Sequence, residues 1–237
     1  MGKAMKKFLK WLDNFWYHYK WVVLLVVGFG ICIGVMTAQF IEKDSFDAVV
    51  LYTGPKLPTA NETKDMESAF ASLLPGDYDG DNKKTLSINA LFLMTDEQLQ
   101  NSQYQVDEEG NKAYVNTSEM VKTKENFSTQ IFVGEALVCM LDPAWYDMAN
   151  SKSAFVALSD FGYSDIGSAQ YDENALYLKK TAFGSYFDAF DNLPDDTLIC
   201  FRKQSSASSL KNEEEEIKRY EYNRGFFSNI LKFSLTK

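Results

Sequence analysis

Three aspartates at alternate positions, Asp77, Asp79 and Asp81 in "GDYDGDNKKTLSIN", are the residues of this chain best spaced to hold a cation. An EF-hand loop takes oxygen ligands at positions 1, 3, 5, 7, 9 and 12, with glycine at 6 and a bidentate acid at 12. With Asp77 at position 1, Asp79 and Asp81 fall at 3 and 5, and Asn82 stands at 6, where it tolerates a left-handed backbone. Lys83 offers a carbonyl at 7 and Thr85 stands at 9. Position 12 is Ile88, so the bidentate ligand is missing, and Pro75-Gly76 precedes the loop where an incoming helix should be. Two readings follow: a weak calcium site, or a strand-entry turn whose Asp and Gly need no metal.

Other chemistry is thin. The single histidine, His18, lies ahead of the long apolar run, so residues 41–237 contain none. Histidine-based triads, Cys-His dyads and His-containing zinc sites are therefore excluded there. No glycine-rich phosphate loop, G-x-S-x-G or H-E-x-x-H occurs. Two-carboxylate catalysis needs no histidine, but with so many acids the sequence singles out no pair. No catalytic residue is assigned. Trp145 and Tyr146 could line a groove or pack beneath a short helix. Cys139 and Cys200 are each flanked by apolar residues, which fits two buried thiols. A disulfide between them would need a distance that sequence does not give.

These residues must be positioned by a chain with two unlike parts. Residues 21–40, "WVVLLVVGFGICIGVMTAQF", carry no charge. As a helix they cover about 30 Å, the thickness of a bilayer's hydrocarbon core. Residues 1–20 hold five lysines against Asp13, a balance of +4, with Trp16, Tyr17, Tyr19 and Trp21 at the headgroup level. The positive-inside rule puts this basic-aromatic segment in the cytoplasm and residues 41–237 outside, with the N-terminal segment uncleaved. A cleaved signal peptide would have a shorter apolar region and a small-x-small exit, whereas Met36 stands two places before Ala38. Phe8, Trp11, Leu12, Phe15 and Tyr19 recur at helical spacing, the pattern of an interfacial helix.

Residues 41–237 carry 19 basic and 32 acidic side chains, a balance of -13 that opposes nucleic acid and suits solubility. Strands are expected over 46–54, 85–94, 136–141 and 195–203, with short strands in "AFVALSDF" and "NALYLKK". Helices are expected over 59–74, 116–135 and 142–150, and from the glutamates at 213 to Phe233, with Ile217, Tyr220, Phe227 and Leu231 inward. A hairpin or loop around Glu109-Gly110-Asn111 and a flexible joint at residues 205–209 complete the reading. Alternating strands and helices predict an α/β domain, a mixed sheet with flanking helices, preceded by one transmembrane helix.

The stretches "FWYHYKW", "VVLYTGP", "DYDGDNKKTLSIN", "FSTQIFVGEALVCMLDPAWY" and "LPDDTLICFRK" resemble a group of uncharacterised single-pass membrane proteins of clostridial-type bacteria. That resemblance implies an anchor and an outer domain but no activity. Locally, "FSTQIFVGEALVCML" is similar to the helix–glycine–strand passage of extracellular solute-binding proteins, which implies ligand binding. The expected function is therefore a non-enzymatic, membrane-anchored extracytoplasmic domain that binds an unknown protein or small ligand. Its lipid partner is the bilayer, through residues 21–40, with no nucleic acid and no cofactor beyond the weak calcium candidate. The alternatives are a scaffold or accessory subunit of a membrane assembly, and a carboxylate-dependent envelope hydrolase.

Overall fold

The computed structural model describes residues 2–41, 46–100, 117–163, 167–204 and 213–234. The chain divides into two compact units, residues 1–45 and 46–237. The first is one helix, α1 (Lys3–Ile41), of 39 residues. It is long and apolar enough to cross a membrane. The basic-aromatic segment continues this helix without a break. Phe8, Trp11, Phe15 and Tyr19 form a ladder of exposed rings along it, with successive centroids 6.2, 5.6 and 5.2 Å apart.

The second unit is a mixed α/β fold. Its five strands are β1 (Ala48–Gly54), β2 (Leu86–Phe92), β3 (Val138–Leu141), β4 (Ala175–Tyr177) and β5 (Leu198–Phe201), ordered β2-β1-β3-β5-β4. β2, β1 and β3 run parallel, and β5 and β4 complete the sheet antiparallel. The helices are α2 (Ala60–Ala71), α3 (Asp96–Gln100), α4 (Thr117–Val133), α5 (Pro143–Asn150), α6 (Ala182–Tyr186) and α7 (Glu213–Lys232). The chain steps from β1 to β2 on one side, then returns past β1 to β3 on the other. Right-handed crossovers therefore place α2 and α4 on opposite faces of the sheet.

The strands' alternation divides the core accordingly. Val50, Tyr52, Val138, Met140, Ile199 and Phe201 pack with Phe70 of α2 and Phe226 and Phe227 of α7. Leu51, Cys139, Leu141, Leu198 and Cys200 pack with Phe127 and Ile131 of α4 and Trp145 and Tyr146 of α5. The continuous apolar runs at β3 and β5 are thus strands buried on both faces. On the α2 side Phe70 meets Phe183, Phe190 and Phe226 at 5.1, 5.3 and 5.9 Å. Such ring pairs are each worth about 0.5–1.5 kcal/mol beyond their burial. Gly184 is required where α6 passes the chain: a Cβ there would stand 2.1 Å from the Leu178 carbonyl oxygen.

Several ends are fixed by local rules. Thr59 and Glu62 form a capping box at the start of α2. Asp142 caps α5 ahead of Pro143. At the sheet's outer edge, Glu67 of α2 accepts a hydrogen bond at Oε1 from the Ile88 amide of β2, 3.1 Å away. At the other edge Gln170 bridges Leu176 of β4.

Three expectations are corrected. "AFVALSDF" is not a strand: Phe155 forms one bridge to Arg202, and Leu158–Phe161 turns into a 3-10 helix. β4 already lies beside β5 as far as Cys200, so only Arg202 remains for Phe155 to pair with. In "NALYLKK" the strand stops at Tyr177, and Leu178–Lys180 is 3-10. Ile217 is 49% exposed: the buried stripe of α7 runs through Asn223, Phe226, Phe227 and Ile230, and one turn earlier it is Tyr220 that packs on the core. The hairpin around Gly110 and the joint at 205–209 lie outside the described residues.

Candidate functional site

The acidic turn is built on a residue that sequence reading did not single out. Asp47, just ahead of β1, is 3% exposed and its carboxylate accepts from the backbone amides of Tyr78, Asp79 and Thr85. The turn then closes on its own side chains. Asp77 accepts from the amides of Gly80 and Asn82, both at 2.7 Å. Asp79 accepts from Asp81, and Asp81 from Lys83. Gly80 and Asn82 take φ of 83° and 64°, conformations that glycine and asparagine tolerate best. Lys84 donates to the Leu74 carbonyl near the end of α2, and the Tyr222 hydroxyl donates to Gly76. Burial pushes that hydroxyl's pKa up to about 12.

Carboxylate oxygens of Asp47, Asp77 and Asp79 lie within 4.8 Å of one another and could share a cation. The structure thus joins two of the three predicted ligands to Asp47, and leaves Asp81 outside the trio. Ile88, at position 12, lies in β2.

A second site stands at the carboxyl end of the parallel strands. The order β2-β1-β3 reverses direction at β1, and in open α/β sheets such a switch point opens a crevice beyond the strand ends. Here the chain leaving β2 carries Leu93 and Met94, whose course is held by the Leu93 amide donating to Gly54 at 3.0 Å. Thr95 and Gln98 then exchange hydrogen bonds: the Thr95 amide donates to Gln98 Oε1 and the Gln98 amide to Thr95 Oγ1. That exchange frees Gln98 Nε2 to donate to Asp142 at 2.6 Å. Asp142 also accepts from the Ala144 amide at 2.9 Å, so one carboxylate ties α3 to the start of α5. It is 5% exposed, and burial pushes its pKa above the usual carboxylate range, partly offset by these hydrogen bonds.

The crevice so formed is a cleft of about 400 Å³. Leu93, Met94, Leu99, Met120, Val121 and Trp145 supply its apolar lining, and Thr95, Asp96 and Lys124 its polar groups. Trp145 packs edge-on against Phe127 of α4 at 5.8 Å, and the Lys124 ammonium stands 5.6 Å from the indole ring. The indole is 7% exposed, and its Nε1–H has no hydrogen-bond partner among the described residues. Neither reading of Trp145 alone is complete: it packs under α4 and also lines the cleft. Tyr146 only packs, stacked on Phe155 at 4.9 Å with its hydroxyl donating to Asp172. Asp142 and Gln98 were missed from sequence, although the Asp-Pro cap and the T-x-x-Q spacing were both visible.

Cys139 and Cys200 stand opposite each other across β3 and β5, both buried and both free. Comparison with protein-family models, curated proteins and solved structures gives no match to this chain.

Proposed function

We propose that this chain is a membrane-anchored extracytoplasmic binding domain, without catalysis of its own, and that its ligand seat is the cleft between α3, α4 and α5. The observation that carries the reading is the cleft itself. It is mostly apolar, has the volume of a small-molecule pocket and lies beyond the ends of β2 and β3, in a sheet whose strand order switches at β1. Supporting the anchor are the uncharged run at 21–40 and the lysines ahead of it, which orient the N-terminus inward. The acidic turn is read here as structural, since its carboxylates accept from the backbone amides of the turn itself.

A thermal-shift screen of small molecules on the full chain in lipid nanodiscs tests the binding role. Hits are expected whose stabilisation disappears in Met120→Trp, which fills the cleft. A silent screen, or hits indifferent to that substitution, refutes the seat. Isolation of a mature protein beginning near Gln39 would refute the anchor.

A further inference from the structure

We infer that Cys139 and Cys200 form a reversible disulfide site, placed so that the bond can close but stays easy to reduce. This goes beyond the binding reading and depends on the outer placement only for an oxidising surrounding. The two thiols are brought together by strand register. Cys139 lies directly opposite Cys200 where β3 and β5 run antiparallel, and both side chains enter the core on the α4 side. The Cys200 thiol donates to the Cys139 carbonyl at 3.7 Å. Burial and the neighbouring Cys139 thiol push the Cys200 pKa up. A hydrogen bond farther along the ladder shows which kind of pair this is. The Arg202 amide donates to the Leu137 carbonyl at 2.7 Å, so Leu137 and Arg202 are a hydrogen-bonded pair. Hydrogen-bonded and non-hydrogen-bonded pairs alternate, so Cys139 and Cys200, two residues on, are hydrogen-bonded too.

Such a pair holds its Cα atoms about 5.5 Å apart, inside the range of about 4.4–6.8 Å that a disulfide spans. Its Cβ atoms stand at the wide end of cross-strand spacing, about 5.5 Å, whereas a disulfide sets them about 3.5–4.5 Å apart. The bond is therefore within reach, but closing it must draw β3 and β5 together by about 1 Å. That strain makes it more reducible than an unstrained structural bond. Both cysteines are fully buried, so exchange proceeds while the sheet is locally open. One cysteine, as thiolate, attacks a sulfur of a small disulfide such as oxidised glutathione and releases one reduced glutathione. The other cysteine, as thiolate, then displaces the second. Both cysteine protons are given up, and the electron pair ends on the two glutathiones.

The test uses the folded full chain in phosphatidylcholine nanodiscs, with the third cysteine removed by Cys32→Ala so that only this pair can close. The protein is held in sub-denaturing urea, where the sheet opens transiently, until its thiol content stops changing. One sample contains oxidised glutathione. A second is oxidised first and then given millimolar reduced glutathione. Remaining thiols are capped with N-ethylmaleimide after full denaturation, and the peptides are mapped by mass spectrometry. The oxidised sample should yield the peptide that joins Cys139 to Cys200, and the second sample should lose it. Free thiols at both positions in oxidised glutathione, or separate glutathione adducts with no joined peptide, overturn the site. A joined peptide that survives millimolar reduced glutathione is a structural disulfide and overturns the reversible one. The stabilisation screen with Met120→Trp is independent of all these outcomes, so the binding reading and this one fail separately.

Discussion

Arg202 offers the sharpest test of how the α4 side of the domain is held. It is 4% exposed, yet no carboxylate pairs with it among the described residues. Its guanidinium instead donates to three carbonyls at the end of α4: Nε to Ala136 at 2.9 Å, Nη1 to Ile131 at 3.2 Å and Nη2 to Gly134 at 2.6 Å. Ile131 lies in the last turn of α4, at the negative end of the helix dipole, and Gly134 and Ala136 follow it, so one planar cation serves both the helix end and the chain beyond it. Burial lowers its pKa, but arginine remains charged at any working pH. Arg202→Met keeps the bulk and removes the donors. The Ile131 and Ala136 bonds are buried, and each acceptor left unsatisfied costs about 1–3 kcal/mol; the Gly134 bond is only partly buried, so water can replace it. Relief of the guanidinium's desolvation offsets part of this, leaving a net loss of about 3 kcal/mol. With a urea dependence of about 2–3 kcal/mol/M, the unfolding midpoint should fall by roughly 1 M. The assay is urea unfolding of residues 46–237, followed by the fluorescence of Trp145, the only tryptophan in that segment. Arg202→Lys should fall between, because one ammonium cannot span three diverging carbonyls. A midpoint within about 0.3 M of wild type for Arg202→Met, or full rescue by lysine, would refute the reasoning.

Asp142, with its folded pKa raised, contributes stability that is present below the ordinary value of 3.8 and lost as pH rises through the folded value. The stability of wild type relative to Asp142→Asn should therefore grow as pH falls from neutral toward 3.8; a pH-independent difference would contradict this. Tyr222, pushed up to about 12, works in the same sense: its contribution is complete below the ordinary 10.0 and lost through about 12. Tyr222→Phe should flatten that alkaline loss, and an unchanged profile would count against it. For the acidic turn, calorimetry of the full chain with millimolar calcium should give no saturable heat, and Asp47→Ala should destabilise by about 2 kcal/mol through the amides it abandons. A calcium heat abolished by Asp77→Ala would make the turn a metal site.

Legibility followed the range of the interactions. The apolar runs at 136–141 and 195–203 could be read as strands, because in β3 and β5 burial on both faces is written into consecutive residues. The helix starts at Thr59 and at Asp142-Pro143 were legible for the same local reason. Sequence could not show that β4 occupies the flank of β5, and so Phe155 was read as strand. It could not show that the inward face of α7 begins at Tyr220 and leaves Ile217 exposed. Asp47 lies 30 residues from Asp77, and only the pairing of β1 with β2 brings them together. The cleft was illegible for a related reason: it exists because β3 returns past β1, a choice of strand order that no local pattern records.

The sheet's margins carry a last consequence. Glu67 already occupies the outward amide of Ile88, and β4, only three residues long, is flanked by its own preceding chain at Gln170. A foreign strand seeking to extend the sheet would have to evict a helix side chain at one margin and a stretch of this chain at the other. Recognition by strand augmentation, and the runaway stacking that open margins invite, are both obstructed.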